Sequence, residues 1–362
     1  MPQRFGKPAD TVVHEQDPFN AEPPRAALGR EAITPYDRFY VRNHGAVPEL
    51  ETDTSRVRID GLVEEPLELS VDRLRECSFA TVEVTATLQC AGNRRAELAA
   101  VREIPGEAIW GSGATGTAVW RGVRLAEVIA AAGPRPEARH VAFVGAEHAG
   151  EAKPPQLFGG SVPLAKALRP EVLLAWEMNG EPLPAVHGGP LRVIVPGYFG
   201  ARSVKWLQQV KLTARPFDGY FQETAYRILR PDEQPAPGVG IGLGEILLNA
   251  DILSAGDEPL RSGAPFELRG YALAGGGRSV ARVDVSCDGG ETWKDAQLLE
   301  DLGPWAWRLW SLRVELPAGE HQILARAWDT GGGTQPESPA TVWNPKGYMN
   351  TSWGRMDVTV AA

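Results

Sequence analysis

The sequence lacks a long apolar run. Stretches such as Val172-Leu173-Leu174-Ala175-Trp176 fall far short of the roughly 20 residues a bilayer-spanning helix needs. The polar, proline-containing N-terminus has no apolar core of a secretory leader, so a cytoplasmic protein with no membrane partner is expected. Cysteine is scarce too. Cys77, Cys90 and Cys287 are too few and too scattered for a disulfide framework or a CxxC-type zinc site. The six histidines, from His14 to His321, contain no HExxH pairing, and no Walker lysine follows a glycine-rich turn. Positive charge is in deficit, with 37 basic against 46 acidic residues and a net charge of −9. General affinity for nucleic acid is thereby excluded, and any anion site must be a local cluster of cations.

What is present describes an ordered chain of two domains: 362 residues, 43% of them hydrophobic and 23% charged. Residues 1–30 are rich in proline and polar groups without a helical or strand period, and read as an N-terminal arm on the surface, with the fold proper starting near Asp37. Residues 31–230 alternate short β-like runs (Val57-Arg58-Ile59-Asp60; Val141-Ala142-Phe143-Val144; Leu191 to Val195) with alanine-rich helical ones such as Leu125 to Ala132, an α+β pattern. The proline-rich stretch 231–240 reads as a linker. Residues 241–362 change character, with alternating strands at 266–273, 279–286 and 321–328 separated by glycine-rich turns, among them Asp288-Gly289-Gly290. With seven of the eleven tryptophans at or beyond Trp293, this part reads as an immunoglobulin-like β-sandwich.

Gly111-Ser112-Gly113-Ala114-Thr115-Gly116 satisfies GxGxxG, yet no βαβ unit surrounds it, so a dinucleotide site is not expected. The chemistry concentrates instead in Leu88-Gln89-Cys90-Ala91-Gly92-Asn93-Arg94-Arg95, which follows the strand-like run Thr81 to Thr87. An inert buried thiol is the commoner fate of a lone cysteine. Here, small residues allow close backbone approach, and two adjacent arginines are expected to favour the thiolate, the form that attacks or ligates metal.

This octapeptide resembles the molybdenum-cofactor signature of the sulfite oxidases and assimilatory nitrate reductases. Further segments are similar to that family in the same order, including Phe39-Tyr40-Val41-Arg42-Asn43-His44-Gly45, His187-Gly188-Gly189-Pro190-Leu191-Arg192, Gly200-Ala201-Arg202-Ser203-Val204-Lys205-Trp206 and Trp343-Asn344-Pro345-Lys346-Gly347. The resemblance runs from about residue 17 to 357 and is greatest to the haem-free, plant-type sulfite oxidases. It implies a molybdopterin-binding domain followed by a dimerisation domain, a homodimer, and neither haem nor flavin.

The resemblance further implies that Cys90 gives its thiolate to molybdenum held by a pyranopterin dithiolene, a role that suits soft sulfur. Asn43, His44, His187, Arg192, Arg202, Ser203 and Lys205 match cofactor-binding positions. Arg42, Arg95, Trp110, Tyr226 and Lys346 match the sulfite pocket, with Arg42, Arg95 and Tyr226 acting in the reaction and Tyr226 as a hydroxyl donor; Trp120 is read as core. Two departures stand out: Lys346 occupies a position where the family usually has arginine, and Thr224-Ala225 replaces the Lys-Asp pair that often precedes the tyrosine. The implied reaction is oxygen-atom transfer to sulfite, with electrons passed to dioxygen, a cytochrome or another acceptor. The rival readings are a nitrate or S-oxide reductase on the same cofactor, or a non-catalytic binding protein.

Overall fold

The computed structural model describes residues 4–76, 79–256 and 258–362, so the Cys77 reading lies outside the described residues. Two five-stranded sheets build the first domain. One follows the order Glu181–Pro182, Leu173–Met178, Thr115–Arg124, Thr81–Gln89, with Arg192–Ile194 also pairing with Leu173–Met178. The other runs Leu67–Ser70, Arg56–Gly61, Leu207–Thr213, His140–Ala149, Gln156–Pro163, and contains one parallel pair, Leu207–Thr213 with Arg56–Gly61. The helix Leu125–Ala132 buries Leu125, Val128, Ile129 and Ala132 on one face, as its spacing predicts.

Two four-stranded antiparallel sheets make up the second domain. Asn249–Ser254, Phe266–Leu273, Arg308–Val314 and Gln297–Leu298 form one; Lys294–Asp295, Val280–Ser286, Gly319–Asp329 and Gly354–Val360 form the other. Ile252, Leu268, Trp310, Val283, Ile323 and Val358 from both sheets close a shared core. Asp288 caps the expected hairpin, accepting from Thr292 N at 2.9 Å, with Gly289 and Gly290 at φ +73° and +99°.

The N-terminal segment differs from the surface arm read in the sequence. Val12–Gln16 and Phe19–Glu22 pair as an antiparallel hairpin, and all four residues of the latter strand are buried. Lys7 is only 2% exposed. The ladder supplies order where no sequence period exists, because its partners come from residues 20–43: Ala21 exchanges both backbone bonds with Val41. The same hairpin occupies the GxGxxG turn. Glu22 accepts from Gly111 N at 2.6 Å and Gly113 N at 2.8 Å, so a carboxylate of this chain takes the amides a phosphate would use.

Around the proline-rich stretch, Arg227–Ile228 pairs with Ile241–Gly242, and the Arg227 guanidinium holds the carbonyls of Val239, Gly238 and Gly240. The two domains meet over a polar and apolar seam. Tyr271, Leu273, Trp307 and Leu309 join the core of the first domain. Gln89 Nε2 donates to Asn249 Oδ1 at 3.0 Å, and Asn93 Nδ2 to the Tyr271 hydroxyl at 3.0 Å. No helix among the described residues is long and apolar enough to cross a membrane.

Candidate cofactor pocket and active site

Thr81–Gln89 pairs along its whole length with Thr115–Arg124, and its inner half is buried on both faces, so the strand delivers Cys90 to the centre of the domain. There Asn93 N bonds Cys90 O at 3.1 Å, and the chain passes through a left-handed Arg94 (φ +62°) into the helix Arg95–Val101. Gly92 is required: a Cβ there would lie 2.7 Å from the Arg95 guanidinium carbon. Cys90 is 8% exposed and accepts from Gly92 N at 3.4 Å. Burial pushes its thiol up, outweighing the pull of Arg95 and Arg42, which corrects the expectation of a spontaneous thiolate.

The two arginines separate. Arg94 turns away from the thiol: its guanidinium grips Glu97 and donates to the carbonyls of Ala250, Ser352 and Trp353 in the second domain. The left-handed backbone at Arg94 produces this divergence, which side-chain spacing alone does not reveal. Arg95 stays in the site, 5.1 Å above the Tyr348 ring, with Nε donating to Lys346 O at 3.0 Å and Nη1 to Ala108 O at 2.6 Å.

An inner cavity contains Arg42, His44, Cys90, Glu147, His187, Arg192, Ser203, Lys205 and Tyr226 in its wall. Of the other positions matched to the cofactor, Asn43 backs this wall, taking a bond from Lys205 Nζ and donating to Phe19 O at 3.0 Å. Arg202 stands beside it, donating to Leu243 O at 2.7 Å. Arg192 bridges the carbonyls of His187 and Ser203, both at 2.7 Å. Ser203 Oγ accepts from Val195 N at 3.0 Å.

Among the described residues Arg192, Arg202 and Lys205 make no salt bridge, and Glu147 is the carboxylate that shares their wall and favours the charge on Lys205. Burial pushes Lys205 down from 10.5 to about 7, and Arg192 and Arg202 down from 12.5 to about 10. Arg192 Nε and Arg202 Nη1 are buried without a partner. Unpaired buried donors on guanidinium groups are costly unless an anion meets them, so this wall fits a phosphate-bearing group with hydrogen-bonding edges, and Cys90 gives it a soft ligand.

His44 is stacked on Phe158 at 4.3 Å, with Nε2 2.7 Å from the Tyr226 hydroxyl and Nδ1 3.6 Å from Glu147. Burial first, then Arg42, lowers its pKa to about 4. The ring is neutral, and its tautomer sets whether Nε2 accepts from or donates to the Tyr226 hydroxyl.

Arg42 and His44 are shared with an outer cavity that also contains Arg95, Trp110, Glu107 and Glu151. Trp110 and Trp120 are both buried, at 1% and 0% exposure; Trp110 touches this cavity, whereas Trp120 is core, as read. Lys346 and Arg95 are not free cations: Glu107 pairs with both. The sequence reading missed Lys7, Glu107 and Glu147. Lys7 Nζ lies 3.1 Å from His187 Nε2 and bonds Tyr36 O and Phe39 O, while Glu147 accepts from the backbone of His44 and Gly45. Each acts through partners at least 12 residues away, and no local pattern marks them.

Residues 44–221 match the oxidoreductase molybdopterin binding domain, and residues 249–361 the Mo-co oxidoreductase dimerisation domain. Human mitochondrial sulfite oxidase is 42% identical over 96% of this chain; the chain spans only 66% of that protein's length. Sulfite oxidase from Arabidopsis thaliana is 37% identical over 95% of this chain and 92% of its own. The barley (Hordeum vulgare) nitrate reductase [NAD(P)H] is 38% identical over 98% of this chain and 42% of its own. Among solved structures, the sulfane dehydrogenase SoxCD from Paracoccus pantotrophus superposes with a TM-score of 0.84 at 26% identity, covering 100% of this chain and 93% of that one.

Proposed function

The chain belongs to the sulfite oxidase family of molybdopterin-binding oxidoreductases, and from that premise we propose that it oxidises sulfite and water to sulfate, two protons and two electrons. The observation that carries this reading is a pair of adjoining cavities: an inner one whose wall brings Cys90 together with Arg42, Arg192 and Lys205, and an outer one with Arg95 and Trp110, Arg42 and His44 lining both. When bound, the molybdenum cofactor supplies the oxygen-atom exchange and takes up the electron pair. Cys90 would hold the metal. Arg192, Arg202, Lys205 and Ser203, with Asn43, His44 and His187, would hold the pterin and its phosphate.

The protein's own work is binding and orientation. Arg95 is fixed by two carbonyls and the Tyr348 ring, so it meets a sulfite oxygen without reorganising. Arg42 presents its guanidinium at the junction of the cavities, on the path a small anion takes inward. Tyr226, hydrogen-bonded to His44, offers a hydroxyl beside that path that would donate to a substrate oxygen. Trp110 and Phe158 exclude water from the walls, which strengthens each charged contact. Electrons leave to an acceptor whose identity the reading leaves to experiment, and the second domain would pair two chains.

The test is steady-state turnover of the metal-loaded protein with sulfite and an artificial acceptor, with nitrate as the competing substrate in a reduced-dye assay. Turnover with sulfite supports the reading. Nitrate turnover with sulfite inert would replace it with the reductase reading, which the barley relative favours.

A further inference from the structure

The outer cavity poses a charge problem for an anionic substrate. Beside Arg42 and Arg95 stand four carboxylates, Glu15, Asp17, Glu107 and Glu151. Glu107 makes the decisive contacts: Oε2 lies 3.3 Å from Arg95 Nη2, and Oε1 bonds Lys346 Nζ. One carboxylate therefore spans the two cations that the sulfite reading assigns to the substrate oxygens. The pair is poorly screened, since the side chains of Arg95, Glu107 and Lys346 are 3%, 16% and 20% exposed.

The contact is built to exchange on one side only. Arg95 is held by two backbone acceptors and stacked on Tyr348, so the guanidinium stays when its carboxylate leaves. Glu107 sits on a turn, after Gly106 at φ +78°, where even an added Cβ would meet no atom within 4 Å. Its side chain borders the outer cavity, and among the described residues its hydrogen bonds and ion pairs are those to the two cations. Glu151, the nearest other carboxylate to a pocket arginine, lies 3.9 Å from Arg42, beyond hydrogen-bonding distance.

We propose that Glu107 is an internal counter-anion: it occupies the donors of Arg95 and Lys346 until a small dianionic oxyanion displaces it, and its return helps expel the dianionic product. This role rests on the reading of Arg95 and Lys346 as the substrate's cations. It makes Glu107 a positioning residue that sets anion affinity. A substrate must outbid a tethered carboxylate, which favours a doubly charged oxyanion over singly charged ions at cellular concentrations. The same competition keeps sulfate from lingering.

The experiment titrates sulfate into the metal-loaded protein by calorimetry at fixed ionic strength, comparing the parent with Glu107→Gln and Glu107→Asp. Glu107→Gln should bind sulfate at least about tenfold more tightly, 1.4 kcal/mol, with stronger product inhibition and a lower KM for sulfite. Glu107→Asp, one methylene shorter, cannot span both cations and should fall between. Should the glutamine variant lose molybdenum or fold poorly, the aspartate variant carries the test. Sulfate affinity equal to or below that of the parent, at parental molybdenum content, overturns the proposal. Because the titration needs no turnover, a protein inert to sulfite would refute the sulfite reading while the affinity change still judges Glu107.

Discussion

Replacing Lys205 by methionine tests the cation wall directly. Methionine keeps nearly the same length and removes only the ammonium, which in the parent bonds Asn43 Oδ1 and Val186 O and lies 4.2 Å from the Trp206 ring centroid. Burial depresses this lysine from 10.5 to about 7, and at about 1.36 kcal/mol per pH unit the charged form costs roughly 5 kcal/mol in the cofactor-free fold. Below pH 7 both folded and unfolded chains carry the proton, so the full cost is present. Between about pH 7 and 10.5 the folded chain has lost its proton while the unfolded chain keeps it, so parental stability rises with pH, by about 1.4 kcal/mol per unit. The two lost hydrogen bonds offset roughly 1–3 kcal/mol of the relief. Cofactor-free Lys205→Met should therefore be more stable than the parent at pH 6 by about 2–4 kcal/mol, with the gap shrinking toward pH 9. On the proposed reading a phosphate would meet the ammonium in the loaded protein, so the variant should retain less molybdenum and the parental pH slope should flatten. The assay is denaturant unfolding of both proteins, with and without cofactor, at pH 6 to 9. Equal pH slopes in the cofactor-free parent and variant would refute the reasoning.

Cys90→Ser should lose molybdenum or all activity, since a hydroxyl is a harder and far weaker acid than a thiol; full metal content with parental turnover removes Cys90 from the site. Arg95→Met deletes a charge-assisted contact worth about 2–4 kcal/mol in a desolvated site, so kcat/KM for sulfite should fall roughly a hundredfold or more with molybdenum retained; parental kcat/KM in steady-state assays would move the anion pocket elsewhere. Sedimentation of the whole protein at micromolar concentration should give a two-fold dimer, and a monomer would contradict the role assigned to residues 249–361.

Much of the site was legible because its chemistry sits in contiguous segments: a strand delivering Cys90, and the Arg42-Asn43-His44 and Arg202-Ser203-Val204-Lys205 runs that converge on one cavity. The β-rich second half was legible for a different reason, since alternating strands and an Asp-Gly-Gly turn are local signals. What stayed hidden depends on partners distant in sequence. Arg94 and Arg95 are neighbours of identical type, and only the left-handed backbone at Arg94 decides which one faces the outer cavity. Glu107 and Glu147 are unremarkable acids until folding brings them to Arg95 and His44. The N-terminal hairpin carries no period, because half of its order comes from the strand-like contact at Val41 and from the GxGxxG turn it fills.

Arg94 gives Cys90 an address in the other domain. Its guanidinium is anchored to Ala250, Ser352 and Trp353, and Asn93 beside it to Tyr271, while Cys90 lies only four residues upstream. The coordinates of the sulfur are therefore surveyed from the second domain as much as from the first. A mutation that shifts the strand bearing Ala250 or the segment bearing Ser352 should register in the metal's spectrum before it registers in the protein's stability, and two paired subunits would share a reference frame for both of their metals.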